Sequence, residues 1–249
     1  MRSGVVLRGV WVLSAGAGAW AFCVFGVRQY HEVLRRNGVG IMNEVKPDSV
    51  KKSSQVKQRI GIYSGTFDPV HAGHIAFALQ ALQAAKLDVV YFVPERVPRS
   101  KHGVTHFAHR TAMIRRAIRP YAQLQLLELE DKTFSVAGTL SRLKRRFPDT
   151  TLVYLCGSDI VRNMARWPHA DQFLHAVELC IGRRANETTH DIDAALASLP
   201  KLPRNVTVLQ SYASAVASSH IRAALREKRS IQGLLASVRA YANKEWLYL

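Results

Sequence analysis

The chain is short of cysteine and of acidic side chains. Its 249 residues contain three cysteines, Cys23, Cys156 and Cys180. They lie far apart with no C-x-x-C spacing, which excludes a disulfide framework and a cysteine zinc site. Cys156 and Cys180 sit in apolar, strand-like runs and read as reduced core thiols of a cytosolic-type domain. Asp and Glu number 18 against 35 Lys and Arg, a formal charge of +17. Such an excess points to an anionic partner: a nucleotide, a nucleic acid or a membrane surface. The basic residues are scattered along helix-like stretches, as in Arg115, Arg116 and Arg119, or Arg142, Lys144, Arg145 and Arg146. They do not form the aromatic-interleaved basic face that a nucleic-acid track needs, so no specific nucleic acid is expected. From Arg59 onward there is no internal repeat and no low-complexity tract.

Long uncharged runs are scarce too, with Gly9–Val27 the exception. It is just long enough to span a bilayer. Arg28, Arg35 and Arg36 after it outnumber Arg2 and Arg8 before it, which would leave the following domain in the cytoplasm. Two other readings stand beside that one. The run is a secretory signal, or translation begins at Met42 and residues 1–41 are absent from the cellular protein. A membrane contact is expected only if residues 9–27 are translated. The polar stretch up to residue 58 reads as a linker. The division expected is therefore an extension over 1–58 and one catalytic-sized domain over 59–249.

Within that domain apolar runs alternate with helical patterns. Strands are expected at Ile60–Tyr63, Asp88–Pro94, Leu124–Glu130, Thr151–Cys156, Ala176–Ile181 and Val206–Leu209. Helices are expected from Ile75 to Ala85, His106 to Ile118 and Val136 to Phe147. The alternation predicts an α/β fold: a Rossmann-like, doubly wound parallel sheet with helices on both faces. Ligands of such sheets bind beyond the carboxyl ends of the strands.

At that end of the first strand lies Ser64-Gly-Thr-Phe-Asp-Pro-Val-His-Ala-Gly-His74. Gly65 allows a tight turn, and His71 and His74 stand where the strand gives way to a helix N-terminus. Free N–H groups and the positive end of the helix dipole attract phosphate there. A second stretch of this kind is Val216-Ala-Ser-Ser-His-Ile-Arg222. Ser218 is expected to cap a helix, Ser219 to bind phosphate oxygens, and Arg222, one turn in, to reach the same phosphate with a forked contact. Taken alone, this stretch also fits a capped surface helix with a solvated arginine.

The first stretch resembles the (H/T)-x-G-H signature of the nucleotidylyltransferase superfamily. The second resembles its I-S-S-T-x-I-R, with Ala217 and Ser219 as departures. Between them the chain is similar to the nicotinate mononucleotide adenylyltransferases. Val93–His102 resembles V-P-x-x-x-P-P-H-K with Arg99-Ser100 in place of Pro-His, and His109-Arg110-x-x-Met113 matches H-R-x-x-M. Thr133–Leu140 resembles S-Y-T-V-D-T-L with one residue more, and Gly157-x-Asp159 followed by Trp167 and Leu174 resembles G-x-D…W-x-x-x-x-x-L. The terminal Asn243–Tyr248 resembles N-x-L-Y.

The resemblance implies that ATP and nicotinate mononucleotide give the dinucleotide and pyrophosphate. His71, His74 and Arg222 would be catalytic. Gly65, Thr66, Phe67, Gly157, Asp159, Ser218 and Ser219 would join them in holding ATP, with Asp159 on a ribose hydroxyl. Lys101, Arg110, Phe134, Ser135 and Trp167 would hold the mononucleotide. Lys101 and Arg110 read equally as surface charges, and Trp167 as a core aromatic. Mg²⁺ is expected on the phosphates of ATP rather than in a protein metal site. Nicotinamide mononucleotide, phosphopantetheine or another phosphate acceptor, and a non-catalytic nucleotide sensor or membrane-tethered scaffold, remain the alternatives.

Overall fold

In the computed structural model the described residues are 57–210 and 217–249, apart from Ser100 and Ala185. The run Gly9–Val27 and Met42 lie outside them. Six strands form one sheet: β1 Arg59–Gly65, β2 Val89–Pro94, β3 Leu124–Leu126, β4 Thr151–Gly157, β5 Glu178–Arg183 and β6 Val206–Gln210, in the order β3-β2-β1-β4-β5-β6. Every pairing is parallel. The helices are α1 Ala72–Ala84, α2 Phe107–Ile118, α3 Ser141–Arg146, α4 Ser158–Met164, α5 Ala170–Ala176, α6 Thr189–Ala197, α7 Ser218–Arg226 and α8 Ala236–Lys244. The doubly wound sheet expected from the alternating pattern is the observed one.

Strand alternation divides the core in two. Ile60, Ile62, Leu152, Tyr154, Cys156, Leu179 and Ile181 face the side covered by α3 to α6, where Leu143, Phe173 and Ile192 pack on them. Val90, Phe92, Val153, Leu155 and Cys180 face the opposite side with Ile75, Ala78, Met113 and Val238. A strand in such a sheet is apolar on both faces, so its sequence runs apolar without a break. Gly61 is the gap in β1: a Cβ there would stand 2.8 Å from Leu87 Cδ1 and Val90 Cγ2.

Strand order reverses between β1 and β4, and the carboxyl ends of these two neighbours open the crevice where such folds bind ligands. Two expected elements differ. The third strand, expected over Leu124–Glu130, pairs only over Leu124–Leu126. It is an edge strand, and Leu127 and Leu129 are apolar because they still enter the core. The helix expected from Val136 begins as a π-helical turn, Val136–Leu140, before α3. A π-turn accommodates one extra residue, which is what the longer Thr133–Leu140 segment contains.

Candidate active site

His71 is the N-cap of α1, and its Nδ1 accepts the backbone N–H of Gly73 at 3.1 Å. Three residues on, His74 Nδ1 accepts the N–H of His71 at 3.2 Å. Two imidazoles thus form the reciprocal box normally made by Ser and Glu. The arrangement has a chemical consequence. With both Nδ1 atoms accepting, a neutral ring must carry its proton on Nε2. Burial lowers the pKa of His71 from 6.5 to about 4. Burial, then the charges of His71 and Lys101, takes His74 well below its ordinary value. At neutral pH the pair is uncharged, and the rings lie 3.7 Å apart between centroids. Each holds its Nε2–H away from the capping bond.

The loop before them is held by parts of the chain remote in sequence. Arg222 donates to the carbonyl of Asp68 at 2.6 Å and Ser218 Oγ to that of Pro69 at 3.0 Å. These bonds dock the start of α7 on the histidine loop. Asp68 is buried; its Oδ1 accepts the Tyr248 hydroxyl at 2.6 Å and its Oδ2 the Thr105 N–H at 3.2 Å. Lys101 Nζ reaches Thr66 Oγ1 at 2.8 Å. Phe67, with φ of 51°, turns its ring inward against Tyr63, His74 and Phe92.

All of this opens on a cavity of about 1070 Å³. Of the residues singled out in the sequence, Gly65, Thr66, Phe67, His71, His74, Lys101, Phe134, Gly157, Asp159, Trp167, Ser218, Ser219 and Arg222 line it. Gly157 ends β4 beside Asp159, and a Cβ on Gly157 would come 2.5 Å from Asp159 Oδ1. Asp159 also pairs with Arg184 at 3.2 Å. Trp167 is partly buried: it faces the cavity and packs on Phe134, Tyr154 and Phe173 at 5.5 to 6.2 Å.

Two singled-out residues do not line the cavity. Arg110 is only 1% exposed, and its guanidinium donates to the carbonyls of Thr105, Thr66, Glu95 and Arg96 at 2.8 to 3.1 Å. It is not a surface charge and does not line the cavity; it ties the loops after β1 and β2 together. Ser135 caps the π-turn, its Oγ accepting from Gly138 N at 3.1 Å. The N-cap of α7 falls on Ala217, not Ser218; its methyl can make no side-chain bond, and the Ser218 hydroxyl is turned to the Pro69 carbonyl. Cys156 and Cys180 are buried, as expected of core thiols, and burial pushes Cys180 up to about 12.

The roles of Asp68 and Tyr248 were not visible in the sequence. Both lie in recognisable motifs, but their pairing spans 180 residues. Arg99, Arg183 and Arg184 also line the cavity.

The cytidylyltransferase-like family model matches residues 62–224, the span that carries both phosphate motifs. The nicotinate-nucleotide adenylyltransferase of Bacillus subtilis (strain 168) is 30% identical over 200 residues, covering 77% of this chain and 98% of that protein. This chain belongs to the nicotinate-nucleotide adenylyltransferase family. A probable nicotinate-nucleotide adenylyltransferase of Carboxydothermus hydrogenoformans is also 30% identical, over 175 residues, 68% of this chain and 87% of its own. The fold is that of the Plasmodium falciparum nicotinic acid mononucleotide adenylyltransferase complexed with NaAD, at a TM-score of 0.65 and 21% identity, over 77% of this chain and 97% of that one. As an adenylyltransferase of this family the chain is an ATP-using enzyme of NAD biosynthesis.

Proposed function

We propose that the protein transfers the adenylyl group of ATP to the 5′-phosphate of nicotinate mononucleotide. A phosphate oxygen attacks the α-phosphorus in line; the bond to the β-phosphate oxygen breaks, and pyrophosphate leaves. The nucleophile is ionised at neutral pH, so no protein base is required. Catalysis then rests on positioning and on meeting the charge of the transition state.

The observation that carries this reading is the histidine capping box. It leaves two Nε2–H donors on residues that line the cavity, which Arg222 and the first turn of α7 also border. In this reading His71, His74 and Arg222 meet the triphosphate and the departing pyrophosphate. Ser219 and the N–H groups at the start of α7 add donors, and Lys101 approaches from the Thr66 side. Asp159 takes a ribose hydroxyl, and the wall of Phe134, Tyr154 and Trp167 takes the flat pyridine ring. An arriving polyphosphate favours protonation of the imidazoles, countering the burial that keeps them neutral without ligand.

Mg²⁺ carried on the phosphates fits these residues. Among the described residues no group of three or more His, Cys, Asp or Glu is arranged to hold a metal. The cavity carboxylates Asp68, Glu95 and Asp159 each already have a protein partner. The ion would neutralise phosphate charge. A cytoplasmic location suits the need for ATP. No helix of the described residues is long and apolar enough to cross a membrane, and the run Gly9–Val27 lies outside them.

The test is pyrophosphate release by the purified chain with Mg-ATP and nicotinate mononucleotide, its amide or phosphopantetheine as acceptor. Fast turnover of the acid supports the reading; a preference for another acceptor, or no turnover, overturns it.

A further inference from the structure

We propose that Arg99 selects an acceptor whose ring bears a carboxylate over one that bears a carboxamide. The inference rests on the adenylyl-transfer reading above and goes on to name the residue that decides between two acceptors of equal shape.

Two groups of cationic side chains line the cavity. Lys101, Arg222 and the imidazoles gather around the loop from Thr66 to His74. The aromatic wall of Phe134, Tyr154 and Trp167 lies on the other side of the sheet's crevice, and there Arg99 supplies a guanidinium that donates to the Phe134 carbonyl. That one bond uses a single donor of the five on a guanidinium. Among the described residues no carboxylate is ion-paired with Arg99, and the side chain is exposed to the cavity. It therefore has donors left for a ligand lying on the aromatics.

The backbone offers little competition. The N–H of Phe134 is taken by Glu95 Oε1 at 3.2 Å, and that of Ser135 by Thr139 Oγ1 at 3.0 Å. The π-turn produces the second of these bonds, since it brings Thr139 back over Ser135. With these amides occupied, an anionic substituent on the ring is left to the arginine. A planar carboxylate matches its fork, whereas a neutral carboxamide receives weaker bonds and presents an N–H₂ face that a guanidinium cannot satisfy. Glu95, on the same wall, works the other way, because a carboxylate repels the acid and accepts from the amide. Arg99 must outweigh it for the acid to be preferred.

The experiment measures kcat/KM for nicotinate mononucleotide and for its amide with saturating Mg-ATP, in the full-length wild-type chain and in Arg99→Ala and Arg99→Lys. The wild type is expected to prefer the acid. Arg99→Ala should lower the acid-to-amide ratio by about 10- to 100-fold, the scale of one or two charge-assisted bonds, chiefly through KM for the acid. Arg99→Lys should recover part of the ratio, with KM for ATP and the melting temperature unchanged in both. Acid-specific turnover with the same ratio in Arg99→Ala, or a wild type without acid preference, overturns the inference while leaving adenylyl transfer standing. A wild type that turns over neither acceptor overturns both.

Discussion

The hydroxyl of Tyr248, one residue from the end of the chain, donates a 2.6 Å hydrogen bond to Oδ1 of Asp68 in the loop that leads to His71. Tyr248 and Asp68 are both buried. Asp68 in turn presents its carbonyl to Arg222. The C-terminal turn, the histidine loop and the start of α7 are thereby one connected unit. The raised pKa of Tyr248, due first to burial and then to its bond with Asp68, keeps the hydroxyl a donor throughout the working pH range.

Replacing Tyr248 with Phe keeps the ring and removes the donor. Asp68 is then a buried carboxylate with one partner fewer, a loss of about 1–3 kcal/mol. The expected result is a lower midpoint in chemical denaturation together with slower turnover, because the Asp68 carbonyl that orients Arg222 belongs to the same residue. Wild-type stability in this variant would show that the bond contributes nothing.

His71→Asn separates capping from chemistry. Asn is a good N-cap, so α1 should remain and the melting temperature should shift little. The Nε2–H is lost, however, and turnover should drop by about 10²- to 10³-fold, the usual cost of removing one positioned transition-state donor. His74→Ala should reduce turnover by a similar factor.

Acid should weaken the fold through His71 and His74. Both have folded-state values below the unfolded one, about 4 against 6.5 for His71. Between those limits the unfolded chain binds more protons, so stability rises with pH. It is fully present above about pH 6.5 and is lost as pH falls toward 4. Denaturation midpoints of the wild type and His71→Asn should lie close together at neutral pH and separate as the pH drops across that interval, the wild type falling further.

Arg110→Lys should be a destabilising change despite keeping the charge. An ammonium cannot reproduce the fork that meets the carbonyls of Thr105, Thr66, Glu95 and Arg96. A loss of about 2–4 kcal/mol is expected from the buried acceptors left without donors, read as a lower denaturation midpoint. KM for ATP should rise, since Thr66 belongs to the loop that Arg110 secures.

Gly157→Ala should act on the nucleotide rather than on the fold. The new Cβ would displace the Asp159 carboxylate from 2.5 Å. Asp159 is about half exposed and can swing aside, giving up its pair with Arg184. Kinetics at varied ATP should show a raised KM with an unchanged melting temperature.

The sheet was legible in the sequence because a strand covered on both faces is apolar throughout, and six such runs recur with helical patterns between them. Its exceptions have local causes: Leu127 and Leu129 are apolar for the core although the paired register ends at Leu126. The residues around His71, His74 and Arg222 were legible for a different reason. A phosphate site at a helix start requires particular side chains at short, regular spacing, and such spacing is written linearly. The burial of Arg110 was not legible, because a charged side chain carries no mark of it in the sequence. Arg110 is tolerated inside only because four carbonyls from two loops converge on it, and their convergence is a product of the fold. The same holds for Tyr248 and Asp68. By itself the sequence determined the alternation of elements and the chemistry of the two short motifs, since each depends on neighbours within one turn or one strand. The tertiary structure alone decided which distant donor meets which acceptor: Tyr248 with Asp68, Arg222 with the same residue's carbonyl, and Arg99 with Phe134. Those pairings depend on how the sheet brings loop ends together, and no spacing along the chain records it.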